Sequence, residues 1–324
     1  MSFSPHPVTI REVSLRDGLQ SLAITVPTAT KRQWLEAAWQ AGMREMEVGS
    51  FVPARLLPQM ADTADMVAAA RGYDGLTVSA LVPNLKGAQF ALQAGVDIMI
   101  MPLSASHAHS MANLRRTPDE VVQEVARIRA ERDAGGSSCL IEGGIGTAFG
   151  CTLQGHVSHD EVERLALALL DAGADFISLA DTVGYADPAS VYRLFERIRR
   201  ALGERLRGAH FHDTRGLGLA NTLAALQTGV RRFDACLAGI GGCPHAPGAS
   251  GNVTTEDLAF MLESMGCTTG INLPALLQVR ALMERSLQGQ TLHGSLWRAG
   301  LPKTFTPACG PLGVTEPSAS ETSS

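Results

Sequence analysis

Four times along these 324 residues a helical pattern closes on a small residue plus glycine and runs at once into a short apolar stretch. The copies are Ala41-Gly42-Met43-Arg44-Glu45-Met46-Glu47-Val48, Ala94-Gly95-Val96-Asp97-Ile98-Met99-Ile100-Met101, Ala172-Gly173-Ala174-Asp175-Phe176-Ile177-Ser178-Leu179 and Thr228-Gly229-Val230-Arg231-Arg232-Phe233-Asp234-Ala235. Glycine there can take the left-handed C-cap conformation, so each copy marks a return from helix to strand. Reading outward from them, strands are expected near 8–14, 44–49, 76–82, 97–102, 138–144, 175–180, 207–213 and 233–239. Helices are expected over 29–41, 62–71, 86–94, 117–132, 159–172, 188–202 and 218–228, with an eighth after Thr255-Glu256-Asp257. Thr117-Pro118-Asp119-Glu120 puts proline at a first helical position, and Ser158-His159-Asp160-Glu161 has capping-box spacing.

Eight alternating units whose strands are nearly continuous apolar runs predict a (β/α)8 TIM barrel over residues 1–271. A doubly wound open sheet is the alternative, but it would leave some of the eight strands to a second sheet. An additional C-terminal helical segment, 272–313, is expected to pack on the barrel. The Ser/Thr/Glu/Pro-rich end, 314–324, has nothing to bury and is expected to be disordered.

With a net charge of −5 and no Lys/Arg block, the chain suggests neither a nucleic-acid groove nor an anionic membrane face. No apolar run approaches bilayer length, and the start shows no export or organelle signal. Six scattered cysteines without a C-x-x-C fit reduced thiols in a cytoplasm.

In a barrel of this kind function sits at the C-terminal ends of the strands. The stretch Gly208-Ala209-His210-Phe211-His212-Asp213-Thr214 puts His210 and His212 on one face of a strand, able to reach one ion. An isolated H-x-H is more often a hydrogen-bonded pair, so the remaining ligands must come from elsewhere. Strand one runs into Leu15-Arg16-Asp17-Gly18-Leu19-Gln20, and barrel closure sets Asp17 one strand away from the histidines. After strand eight, the Gly-rich loop 239–257 offers the amide oxygen of Asn252 and a single cysteine, Cys243. One carboxylate with three neutral donors suits Mg2+ or Mn2+ better than a thiolate-preferring ion, with Zn2+ left open. Gly143-Gly144-Ile145-Gly146 lacks dinucleotide-loop spacing and is read as a strand-end turn.

These segments, above all Gly241-Gly242-Cys243-Pro244 through Gly248-Ala249-Ser250-Gly251-Asn252, resemble the 3-hydroxy-3-methylglutaryl-CoA lyase family, metal-dependent barrel lyases with R-D-G on strand one. Glu47-Val48-Gly49-Ser50-Phe51-Val52 and Leu56-Leu57-Pro58-Gln59-Met60 are further matches. The resemblance implies that Asp17, His210, His212 and Asn252 ligate a divalent cation, that Arg16 holds an enolate oxygen, and that Cys243 sits on a closing loop and reprotonates the enolate carbon. Glu47 and Asp181 match further active-site acids, although a plain strand-end or loop carboxylate accounts equally well for either. Asp17 and His210 are the candidate bases, and Gln20 and Asn113 the candidate cofactor contacts; Arg115 and Arg116 beside Asn113 also read as a solvated face. The implied reaction is retro-Claisen cleavage of a 3-hydroxyacyl-CoA to acetyl-CoA and a keto acid. Alternatives are citramalyl-CoA cleavage to pyruvate, a Claisen-type condensation, and a CoA- or metal-binding barrel without turnover. A homodimer through the C-terminal helices is the suggested assembly. Departures at Ser14-Leu15, Gly150-Cys151-Thr152-Leu153, Arg215, Leu217 and His245 bear on which acyl-CoA is accepted.

Overall fold

The computed structural model describes residues 7–242 and 251–308. Strands β1 (Thr9–Glu12), β2 (Glu45–Ser50), β3 (Thr77–Leu81), β4 (Ile98–Ser104), β5 (Leu140–Gly146), β6 (Phe176–Asp181), β7 (Leu206–Phe211) and β8 (Arg232–Ala235) close into a parallel barrel. Because β8 pairs back onto β1, from Thr9↔Arg232 to Glu12↔Ala235, no edge is left and the open-sheet alternative falls. Between the strands lie α1 (Thr28–Gln40), α2 (Thr63–Ala70), α3 (Leu85–Ala94), α4 (His107–Leu114), α5 (Pro118–Ala134), α6 (His159–Ala172), α7 (Pro188–Leu202) and α8 (Gly218–Gln227). After β8 come α9 (Thr255–Ser264), α10 (Leu273–Ser286), which packs on α1 and α9, and α11 (Ser295–Ala299) against α9. No helix among the described residues is long and apolar enough to cross a membrane.

The repeat's glycines do what their position demands: Gly42, Gly95, Gly173 and Gly229 have φ of +100°, +81°, +109° and +100°. At Gly42 a Cβ would also stand 2.2 Å from the backbone oxygen of Gly270, whereas at Gly173 it would meet only the side chain of Arg129. Gly42→Ala is therefore expected to cost about 1–2 kcal/mol for the left-handed backbone and more for a collision with an unyielding carbonyl. Urea midpoints should show Gly173→Ala to be the milder change, since Arg129 can swing aside.

Several local features differ from expectation. The short helix α4 was not foreseen: it follows β4 at once, N-capped by Ser106 accepting from His109 N–H, and carries no long apolar period. Gly143-Gly144-Ile145-Gly146 is not a turn but the C-terminal part of β5. The close approach of Ile177 and Leu169 to Gly143, within 3.0 Å of where a Cβ would be, explains that glycine. Thr117 and Glu120 form a reciprocal capping box, whereas at Ser158 only half of one forms, Glu161 turning its carboxylate to Arg164. β8 stops at Ala235 rather than running to 239, because the N–H groups of Leu237 and Ala238 are taken by the Glu12 and Glu256 carboxylates.

The strands bury both faces, but not alike. Met46, Val48, Met99, Met101, Ile177, Leu179, Ala209, Phe211, Phe233 and Ala235 join the apolar layer against the helices. Toward the axis, only Ile98, Ile100 and Phe176 form a small separate apolar cluster. Much of that interior is ionic: Arg11 bridges Glu142 (2.7 and 3.1 Å) and Asp234 (2.8 and 2.7 Å), and Arg232 bridges Glu142 (2.9 Å) and Glu45. Ser178 Oγ adds a bond to Glu142 at 2.5 Å. Buried carboxylates survive as anions only when paired and hydrogen-bonded. Against the cost of burial, Arg11 and Arg232 hold the Glu142 carboxyl down at about 2.

Candidate metal centre at the barrel mouth

After Glu12 the chain leaves the strand and makes one π-helical turn, Ser14–Gly18, in which the N–H groups of Asp17 and Gly18 both bond to Val13 O (2.8 and 3.3 Å). Arg16-Asp17-Gly18 thus lies on this wider turn and not on strand one itself. Such turns re-aim side chains that a regular strand or helix would direct elsewhere. Here they bury Arg16 and Asp17 at the mouth. Gly18 is pressed against Ile240, 2.6 Å from where a Cβ would stand.

On the far side of the closure, β7 delivers His210, and His212 follows just past its end with the alternation intact. Their rings lie 5.1 Å apart, and both Nε2 atoms face Asp17 Oδ2, at 3.8 and 3.7 Å. Asn252 arrives because 251–254 threads between the ends of β7 and β8. Val253 N–H donates to Phe211 O (3.2 Å), Cys236 N–H to Val253 O (3.0 Å), and His212 bridges Asn252. Gly251 permits that passage, since a Cβ there would meet Gly239 O at 2.1 Å.

The donor set fits a divalent cation. Ligand atoms of Asp17, His210 and His212 lie within 4.8 Å of one another. The amide nitrogen of Asn252 donates to Asp17 Oδ2 (2.7 Å), while its Oδ1 is buried without a partner among the described residues. Amide O and N differ only by a half-turn, so the same side chain can present an oxygen to an ion beside Asp17. Burial disfavours the Asp17 anion, yet the Arg16 guanidinium and the two histidines hold its carboxyl well below the usual range.

Arg16 is clamped between Asp17 and Glu47, whose Oε1 lies 2.6 Å from Arg16 Nε. Burial pushes the Glu47 carboxyl up, with Arg16 opposing it. Gln20 Nε2 donates to Asp17 Oδ1 (2.8 Å). Asp181 accepts the N–H groups of Tyr185 (2.8 Å) and Ala186 (2.9 Å), tying down the loop after β6 from a position close behind His212. Asn113 is exposed on α4, and Arg116 pairs with Glu124. Arg215 bonds to the carbonyls of Val183 and Gly184 and lies over the Tyr185 ring. Cys243 and His245 lie outside the described residues.

Sequence reasoning missed the groups beneath the ligands. Asp234 Oδ2 stands 3.1 Å from His210 Nδ1, and Cys236 Sγ is 3.2 Å from the Asn252 amide nitrogen. The only signal was the alternation along β8, and it needed the His210↔Asp234 register to have meaning.

The model of the HMGL-like family matches residues 7–283. The hydroxymethylglutaryl-CoA lyase YngG of Bacillus subtilis is 36% identical over 286 residues, 87% of this chain and 94% of that protein. The hydroxymethylglutaryl-CoA lyase of Pseudomonas mevalonii is 38% identical over 272 residues, 84% of this chain and 90% of its own. Among solved structures, an HMG-CoA lyase from Acinetobacter baumannii in complex with coenzyme A and 3-methylmalate superposes with a TM-score of 0.87 at 38% identity, covering 95% of this chain and 99% of the other.

Proposed function

The chain belongs to the HMGL-like family, and on that premise we propose that it is a carbon-carbon lyase cleaving hydroxymethylglutaryl-CoA to acetyl-CoA and acetoacetate. The observation that carries the reading is the convergence of Asp17, His210 and His212 on one point at the mouth, with the Asn252 amide against Asp17 and its Oδ1, buried without a partner among the described residues, a half-turn from that point. Enzymes of this family use a divalent metal, and these four side chains are its proposed ligands. A mixed set of two oxygens and two imidazole nitrogens with no thiolate favours Mg2+ or Mn2+ over a thiolate-preferring ion.

A cation held there would supply a Lewis acid for the tertiary hydroxyl and distal carboxylate of the substrate. The residues do the rest. Arg16, fixed on two sides by Asp17 and Glu47, offers a preorganised guanidinium to the oxygen of the departing thioester enolate. Glu47, fully buried behind it, keeps that fork from turning. Cys243 is assigned the return of a proton to the enolate carbon. The Acinetobacter protein's complex with coenzyme A and 3-methylmalate supports an acyl-CoA whose acyl group carries hydroxyl and carboxylate functions. All four described cysteines, Cys139, Cys151, Cys236 and Cys267, are free, which supports a reducing, cytoplasmic setting.

The test is release of acetyl-CoA from hydroxymethylglutaryl-CoA by protein treated with a chelator and then resupplied with Mg2+ or Mn2+. Activity should vanish and return. Turnover indifferent to chelation would refute the metal-dependent reading. Faster cleavage of citramalyl-CoA in a parallel assay would move the substrate assignment and leave the reaction type.

A further inference from the structure

His210 and His212 face Asp17 in the same way, but behind them their surroundings differ. The Nδ1 of His212 is buried without a hydrogen-bond partner among the described residues. The Nδ1 of His210 meets Asp234 Oδ2 at 3.1 Å, and that carboxylate has little freedom. Arg11 grips both of its oxygens, Nε on Oδ1 at 2.8 Å and Nη2 on Oδ2 at 2.7 Å. Arg11 is gripped in turn by Glu142, which Arg232 and Ser178 hold from two further strands. A rigid chain of buried side chains therefore runs from β5 through β1 and β8 to one histidine of β7.

We infer that Asp234 is a positioning residue for the metal centre, accepting Nδ1–H of His210 so that the Nε2 lone pair is always turned toward the ion, with Arg11 and Glu142 as its anchor. Three points on the page support this. The register sets Asp234 directly beside His210, so contact follows from the barrel and not from a chance rotamer. With both oxygens already receiving Arg11 donors, Asp234 has only acceptor capacity to offer His210, which selects the Nδ1–H tautomer. The network of Arg11, Arg232, Glu45, Glu142 and Asp234 sets three carboxylates against two guanidiniums, so the cluster behind the imidazole keeps a net negative charge. A carboxylate behind a ligating histidine fixes its ring and raises its basicity, and losing such a partner typically weakens metal binding by about 10–100-fold. His212 lacks this support among the described residues, so the pair divides into one preset ligand and one that its ion must orient.

This rests on the reading of His210 as a metal ligand, and the experiment separates the two. Wild-type protein, Asp234→Ala and the isosteric Asp234→Asn are titrated with Mn2+ followed by electron paramagnetic resonance, with circular dichroism as the check on folding. In parallel, 15N shifts of the imidazoles are recorded on metal-free protein at pH 9. The expected result is Nδ1–H on wild-type His210, a growing Nε2–H population on His210 but not on His212 in Asp234→Ala, and a Mn2+ dissociation constant about 10–100-fold higher in Asp234→Ala. Asp234→Asn, which can still accept through its amide oxygen but has lost the charge, is expected to fall between the two. Wild-type affinity in folded Asp234→Ala would overturn the inference. Nε2–H on His210 in the wild type would do so even if neither variant folded. Wild-type protein that binds no Mn2+ would overturn the metal reading itself, before any substitution is compared.

Discussion

Asp17→Asn is expected to reduce acetyl-CoA release from hydroxymethylglutaryl-CoA by on the order of 10³-fold or more, through loss of several kcal/mol of charge stabilisation at about 1.4 kcal/mol per tenfold. The substitution conserves volume, so it tests charge and not packing. Asp17 is the one anion in the proposed ligand set and the point toward which both Nε2 atoms and the Asn252 amide are directed. It is also half of the clamp on Arg16. An amide there would leave the cation with four neutral ligands and Arg16 with one anionic partner, Glu47, in place of two. Assays at saturating Mn2+, alongside a Mn2+ titration, separate lost binding from lost chemistry. Near wild-type turnover would end the proposed role of Asp17.

Arg11→Met is expected to destabilise the protein by about 3–5 kcal/mol, a large share of the roughly 5–15 kcal/mol that holds a typical domain together. Arg11 is 2% exposed and makes four bonds to two buried carboxylates. Methionine fills the space but leaves Glu142 with Arg232 and Ser178, and Asp234 with His210 alone. Pairing the change with Glu142→Gln removes one stranded anion, so the double variant should lose less than the sum of the single ones. Urea unfolding measures both. A change within about 0.5 kcal/mol for Arg11→Met, the size usual at a featureless surface position, would show that the network contributes little.

Much of the architecture was legible because it is local. A glycine that needs positive φ at the end of a helix, as at Gly42, Gly95, Gly173 and Gly229, declares itself in the residues around it. The same holds for His210 and His212, whose shared face needs nothing beyond a period of two. Asp17 and Asn252 could be placed near them once barrel closure was assumed, since strand order then sets who neighbours whom. The roles of Gln20 and Asp181 could not be read, because a side chain three residues from Asp17 can point to a cofactor or back to the carboxylate. In the structure its Nε2 lies on Asp17 Oδ1.

The charged interior was illegible for a deeper reason. Arg11, Glu142 and Asp234 lie 131 and 223 residues apart along the chain, and each, taken singly, is an ordinary polar interruption in an apolar strand. The amino-acid sequence by itself determined the alternation of strands and helices, the glycine-capped returns, and the residue types able to bind a hard cation. Only the tertiary structure decided that the axis of the barrel is held by ion pairs, that a π-helical turn aims Arg16 and Asp17 inward, and that Asp234 stands behind one histidine and nothing described behind the other. Helix caps and strand faces follow from covalent geometry within a few residues, whereas a buried charge can be tolerated only where closure of the whole sheet brings its partner within hydrogen-bonding distance.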